Sequence, residues 1–173
     1  ILAALKDLGL DETTLVINTS DNGAVRHSPI QGTNAPLKGW GYDTSEGGMR
    51  MPCIVRWPGH IAPGTINDEI TSTMDWLPTL ASLAGGELPT DRIIDGNNIC
   101  PLLFADPTAV SAYDETGFLY YFMSQLQAVR AGRWKLYLPL EAKMINLRGD
   151  LAPNDAMLFD MRTDISETRN VAA

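Results

Sequence analysis

Ile1, Leu2, Leu5 and Leu8 recur at near-helical spacing and Gly9 follows, the pattern of an amphipathic helix with a glycine stop. Residues 13–18 then read as a strand. Its apolar run, Leu15-Val16-Ile17, does not alternate with polar residues, so the spacing predicts a strand covered on both faces, as in a sheet flanked by helices. Residues 51–57 form a second such strand, closed by Pro58-Gly59, with Cys53 inside it as a core residue. Between the two strands, residues 23–48 are rich in Gly, Ser, Thr, Asn and Pro, without periodicity. That is too long for a plain connector, and structured loops of such length commonly carry function. Leu77, Leu80, Ala81 and Ala84 mark one face of a packing helix, with Thr73 or Asp75 as cap, Pro78 in the first turn and Gly85 at its end.

Farther on, residues 117–122, 126–130 and 134–138 read as three short strands, the last two joined by a turn containing Gly132. Residues 158–161 can add a fourth, and Asp164 with Glu167 has the spacing of a capping box for a terminal helical turn. Residues 141–155 are weakly patterned. A helix feeding a buried strand is half of a βαβ unit, so the expected fold class is α/β. A large mixed sheet flanked by helices, over residues 1–114, is followed by a small antiparallel-sheet subdomain at 115–173.

Composition narrows the function classes. The chain has 173 residues, 45% hydrophobic and 20% charged, and no apolar run long enough to span a membrane. A net charge of -8 argues against general affinity for nucleic acid or anionic membranes, both of which favour clustered Lys and Arg. Cys53 and Cys100 lie far apart without metal-ligand or redox spacing. The chain opens on Ile1 in a running amphipathic pattern, and the reading is of a segment cut from something longer.

The candidate chemistry lies at the end of the first strand, where Thr19-Ser20-Asp21-Asn22-Gly23 follows the apolar run. Ligand sites of open α/β sheets sit at strand ends. Asp21 offers a carboxylate and Asn22 a carbonyl oxygen, two hard ligands suited to Ca²⁺ or Mg²⁺, while Gly23 lets the backbone turn. The same triplet also suits an ordinary turn. In the loop beyond, Arg26 and His27 can approach an anion, with His27 a candidate proton donor to a leaving group. Glu46 and Arg50 are expected to pair or hydrogen-bond and so hold the loop's return into the strand, while Trp40 and Tyr42 line a substrate mouth or pack the loop.

In order, Thr-Ser-Asp-Asn-Gly (19–23), Ala-Pro-Leu-Lys-Gly (35–39), Glu-Gly-Gly-Met-Arg-Met-Pro (46–52), Arg-Trp-Pro-Gly (56–59) and Asp-Trp-Leu-Pro-Thr-Leu (75–80) resemble the C-terminal half of type I sulfatases. The likeness continues through Leu-Ala-Gly (83–85), Asp95-Gly96, residues 129–135 and the closing Leu-Phe-Asp-Met with Glu167 and Asn170, and is nearest to arylsulfatases. It implies an alkaline-phosphatase-like fold that hydrolyses sulfate esters through a formylglycine made from Cys or Ser in a Cys/Ser-x-Pro/Ala-x-Arg motif. A Ca²⁺ ion, with Mg²⁺ as the alternative, polarises the sulfate. The family holds that metal with two acidic residues from its N-terminal part and an Asp-Asn pair that matches Asp21 and Asn22. The implied substrate is a small-molecule or glycan sulfate ester, and a periplasmic or secreted parent protein suits the family.

The chain departs from the family in two ways. Neither cysteine fits the nucleophile motif, so these residues alone are expected to be inactive and to need an N-terminal part. The family also places a sulfate-binding Lys five residues before the Glu of Glu-Gly-Gly, and that position is Gly41; Lys38, three residues earlier, is the candidate replacement. Two other functions remain open: a phosphodiesterase or phosphonate hydrolase of the same superfamily, and a degenerate binding protein that has lost its chemistry.

Overall fold

The computed structural model describes residues 1–27, 29, 32–140 and 155–172. Its elements are α1 (Leu2–Asp7), β1 (Val16–Thr19), α2 (Glu46–Met49), β2 (Cys53–Arg56), a 3₁₀ turn (Thr73–Asp75) running into α3 (Trp76–Leu83), α4 (Cys100–Leu103), α5 (Tyr113–Thr116), and strands β3 (Phe118–Phe122), β4 (Gln125–Ala131), β5 (Trp134–Tyr137) and β6 (Met157–Asp160). The backbone contacts divide into two compact units, one of Ile1–Asn18 with Ile54–Glu115, the other of Thr19–Cys53 with Thr116–Ala173. The loop at 19–53, which the sequence reading places with residues 1–114, therefore groups with the C-terminal strands. Among the described residues no helix is long and apolar enough to cross a membrane. The weakly patterned stretch at 141–154 lies outside the described residues.

In the first unit β1 pairs with β2. The Arg56 guanidinium donates to both Asp11 carboxylate oxygens (2.8 and 2.9 Å) and the Trp57 indole to the Glu12 carbonyl (3.0 Å), tying the end of β2 to the turn that precedes β1. The double coverage expected of these strands is not found. Helix α1 buries no residue, Ile54 is 65% exposed and Cys53, expected in the core, is exposed. The physical reason is that no described helix packs closely over either strand, so their apolar side chains are left half-buried or exposed.

The helix expected after residue 73 forms with Asp75, one of the two expected caps, at its N-cap position, but its buried face differs from the reading. Ser72 caps the 3₁₀ turn that leads into it: its hydroxyl accepts the Met74 N–H (3.3 Å), and Asp75 returns the box by accepting the Ser72 N–H (2.6 Å). The other Asp75 oxygen takes the Asn97 N–H (2.7 Å) and the Tyr113 hydroxyl (2.8 Å). Burial and the Asp75 carboxylate push the Tyr113 phenol up to about 12. Because this buried carboxylate anchors the helix, Pro78 and Thr79 face inward, and Leu77 and Leu80 are left exposed.

The second unit contains the antiparallel sheet expected from the sequence, in the order β3-β4-β5-β6. Tyr120, Ala128, Tyr137, Met157, Phe159 and Met161 form its core, with Phe118 packed against it. Phe118 meets Tyr120, and Tyr137 meets Phe159, edge to face at 5.0 and 5.8 Å. The terminal capping box does not form. Asp164 accepts N–H bonds from Thr168 and Arg169, whereas the Glu167 side chain turns inward, because buried donors compete for it.

Candidate functional site

Where β1 ends, the Asn22 N–H donates to Asp21 Oδ1 (3.0 Å), a bond between adjacent residues that fixes the Asp21 side chain against the bend. The Asn22 side-chain Nδ2 donates to the Gly23 carbonyl (2.8 Å), which sets Asn22 Oδ1 on the opposite side of the amide. Asp21 is exposed, Asn22 half-buried and Gly23 buried. The Gly23 N–H donates to the Gly48 carbonyl (3.0 Å), and a Cβ at 23 would lie 1.7 Å from the Gly47 carbonyl oxygen. No larger residue fits there. The glycine therefore serves a contact between the turn and the Gly-Gly of α2, not only the bend itself.

The long loop is braced internally. Asn34 accepts the Ala24 N–H (2.6 Å) and donates to the Ala24 and Gly39 carbonyls (both 3.0 Å), while Asp43 accepts N–H groups from Trp40 (2.8 Å) and Ser45 (2.9 Å). The Gly41 N–H donates to the Ala24 carbonyl (2.8 Å). A Cβ on Gly41 would lie 2.4 Å from the Gly23 carbonyl oxygen and 3.0 Å from Asn22 Nδ2. Position 41 thus presses its backbone directly on the Asp21-Asn22-Gly23 turn. Tyr42, next along, has φ 77 and is 65% exposed, an uncommon conformation for an aromatic residue.

Behind the loop lies a cluster of buried charges that sequence reasoning did not find. Lys135 on β5 is fully buried, and its three N–H donors go to the Thr44 carbonyl, Glu46 Oε1 and Glu167 Oε1, each at 2.9 Å. Glu46 also accepts the Tyr120 hydroxyl (3.1 Å) and Arg130 (3.0 Å), and its N–H donates to Glu167 Oε2 (2.9 Å). The Tyr137 hydroxyl donates to Glu167 and lies 3.2 Å from the Thr44 carbonyl. Formal charges balance, with Lys135 and Arg130 against Glu46 and Glu167. Burial pushes the Glu46 carboxyl up, but the charges of Lys135 and Arg130 outweigh it and hold the group below its ordinary value. Burial and the neighbouring carboxylates raise the Tyr120 and Tyr137 phenols. Of the two links expected between Glu46 and Arg50, the hydrogen bond is present, from the Arg50 N–H to the Glu46 carbonyl (2.7 Å), while the Glu46 carboxylate is engaged by Lys135, Arg130 and Tyr120.

The other candidates are spread along the same loop. His27 and Arg26 are exposed, and Lys38 is half-buried near Asp164. Burial raises the Asp164 carboxyl, and the Arg169 and Thr168 N–H groups, the Thr168 hydroxyl and the Lys38 charge together lower it below its ordinary value. No three or more His, Cys, Asp or Glu converge as a metal site among the described residues. Asp21 and Asn22 therefore offer two oxygen donors of the hard type that Ca²⁺ and Mg²⁺ take, and no complete ligand set.

A family model for sulfatases matches residues 1–86. Steryl-sulfatase of Mus musculus is 43% identical over 148 residues, spanning 79% of this chain and 23% of that protein. Arylsulfatase A of Homo sapiens is 40% identical over 141 residues, spanning 79% of this chain and 27% of that protein. The chain belongs to the sulfatase family. A solved sulfatase, PsFucS1 from Pseudoalteromonas sp., superposes with a TM-score of 0.83 at 27% identity, covering 98% of this chain and 35% of that one. Another solved structure, Ps i-CgsB in complex with k-i-k-neocarrahexaose, superposes with a TM-score of 0.79 at 27% identity over 98% of this chain and 35% of that one. The likeness fixes the fold class as the alkaline-phosphatase-like α/β fold of sulfatases. This sulfatase chain spans about a quarter of the length of the curated relatives it matches.

Gly41 has a physical account in this member of the family. The space that a lysine Cβ would need at 41 is occupied by the Gly23 carbonyl, so the loop has closed on the turn where the family resemblance places a cation. Gly41→Lys is accordingly expected to lower stability by about 1 to 3 kcal/mol through overpacking. Thermal unfolding of the variant checks this, and an unchanged midpoint would show that the loop has room.

Proposed function

We propose that this chain is the C-terminal part of a sulfatase that hydrolyses sulfate esters of glycans or small molecules, and that Asp21 and Asn22 are two of the oxygen ligands of its Ca²⁺ ion. The observation that carries the reading is the geometry of the turn. Asn22 Nδ2 is committed to the Gly23 carbonyl, leaving Oδ1 on the opposite side of the amide, and the neighbouring Asp21 carboxylate is exposed to solvent. A carboxylate and an amide oxygen in adjacent positions fit a hard divalent cation. Such an ion, when bound, supplies Lewis-acid stabilisation to the charge developing on a sulfate oxygen. This chain's residues would hold the ion from one side. The remaining ligands and the formylglycine would come from an N-terminal part, in keeping with the quarter of the relatives' length that the chain spans.

The complex of Ps i-CgsB with k-i-k-neocarrahexaose favours a glycan among the sulfate esters to be tried. The proposal uses neither His27, exposed on the loop, nor Lys38, whose charge acts on Asp164. A second reading, a binding protein without turnover, draws support from Gly41, since the loop is closed where the family carries its sulfate-binding lysine.

The test is hydrolysis of sulfated oligosaccharides and a chromogenic aryl sulfate by the full-length protein, before and after removal of divalent ions with a chelator. Turnover that stops on chelation and returns with Ca²⁺ is expected. Turnover indifferent to chelation would sink the metal reading, and Ca²⁺ binding without turnover of any ester would favour the second one.

A further inference from the structure

We infer that Lys135, with Glu167 and Tyr137, positions the Asp21-Asn22 turn, acting through the backbone of α2; the inference rests on the metal reading proposed above. The first observation is what these side chains hold. Lys135 and Tyr137 reach the Thr44 carbonyl, Lys135 the Glu46 carboxylate, and Glu167 the Glu46 N–H, so three side chains of the C-terminal region grip the residues that lead into Gly47-Gly48. The second is where that grip leads. The Gly48 carbonyl accepts the Gly23 N–H, and the Gly47 carbonyl fills the space a side chain at 23 would occupy, one residue from Asn22. A shift of α2 by a few tenths of an ångström therefore has no slack to absorb it before the turn moves.

The third observation is the cost of the arrangement. On β5 the polarity of the strand is reversed: Trp134 and Leu136 are exposed, at 43% and 37%, and Lys135 is fully buried. Burying an ion cluster where an apolar residue would serve seldom adds stability, because desolvation offsets the attraction between the charges. Directional bonds from a fixed cation do what an apolar contact cannot, which is to fix α2 in one place. Outer partners of metal ligands commonly have this function.

The experiment measures Ca²⁺ binding to the full-length protein by calorimetry for the wild type, Glu167→Gln, Tyr137→Phe and a control, Asp160→Asn, which breaks the partly exposed pair with Arg133 on the same sheet. For Glu167→Gln and Tyr137→Phe the Ca²⁺ dissociation constant is expected to rise by up to about 10-fold, the lower end of what loss of a direct partner of a metal ligand costs, because both act one step farther out. Asp160→Asn is expected to bind as the wild type does, whatever its unfolding temperature. Tyr137→Phe removes only a hydroxyl, so it carries the test even if Glu167→Gln does not fold. Folded variants that bind Ca²⁺ with wild-type affinity would overturn the inference and leave the metal reading standing. A wild-type protein that binds no Ca²⁺ would overturn the metal reading, and the inference with it.

Discussion

Lys135→Met is expected to destabilise the protein by about 3 to 5 kcal/mol, the cost of breaking a buried ion cluster by removing one partner. Methionine matches the length of the lysine stem but provides none of its three donors, so Glu46 Oε1 keeps only the Tyr120 hydroxyl and Glu167 Oε1 only the Tyr137 hydroxyl among these bonds. With Arg130 alone against two carboxylates, one negative charge stays buried without compensation. The pH dependence follows with a definite sign. In the wild type the Glu46 carboxyl sits below its ordinary value of 4.5, so its contribution is present above that pH and is lost as pH falls through the lower folded-state value. In Lys135→Met, loss of the lysine charge and hydrogen bond lifts the folded-state value above that of the wild type, so the variant's deficit is smallest at low pH, where the carboxyl is protonated in both proteins, and grows as pH rises through the wild-type value. Denaturant unfolding of the full-length variant from acid to neutral pH should thus show the gap to wild type widening with pH. A gap that is constant with pH would mean that the cluster's charges are not what the mutation disturbs.

Asp21→Ala carries the other large effect, and it falls on activity. Asp21 is exposed and its hydrogen bonds are local, to the Asn22 N–H and the Ser20 hydroxyl, so truncation should change stability by no more than about 0.5 kcal/mol. If the carboxylate holds the ion that stabilises charge on the sulfate, its loss should lower kcat/KM for sulfate ester hydrolysis by about 10²- to 10³-fold, as loss of one preorganised stabilising group does. Steady-state kinetics at saturating Ca²⁺, beside a thermal melt, separate the two. An active variant with a normal melt would remove Asp21 from the metal site.

The sequence made the C-terminal sheet legible because aromatic and branched residues at 117–122, 126–130 and 134–138 are separated by turn residues, and local propensity agreed with the fold there. It misread the covering of β1 and β2, since an apolar run reports what a strand can bury and not what lies beside it. The Asp21-Asn22-Gly23 turn was visible as a turn with hard donors. The need for Gly23 was not, because the Gly47 carbonyl that requires it lies 24 positions away. Lys135 was hidden by alternation itself: Trp-Lys-Leu-Tyr invites the reading that Trp134 and Leu136 point inward, and the structure has Lys135 and Tyr137 there. The signal that could have exposed it was Lys135 in phase with Tyr137, with Glu46 and Glu167 available elsewhere in the chain as counter-charges. Glu167 was misassigned to a local cap because sequence spacing cannot register a competing buried tyrosine and lysine.

The most direct test is a crystal structure of the full-length protein grown with Ca²⁺. An ion bound by an Asp21 carboxylate oxygen and Asn22 Oδ1, each at about 2.3 to 2.6 Å, is the predicted result. Ca²⁺ bound elsewhere, with Asp21 and Asn22 turned to solvent and no ion between them, would contradict the account.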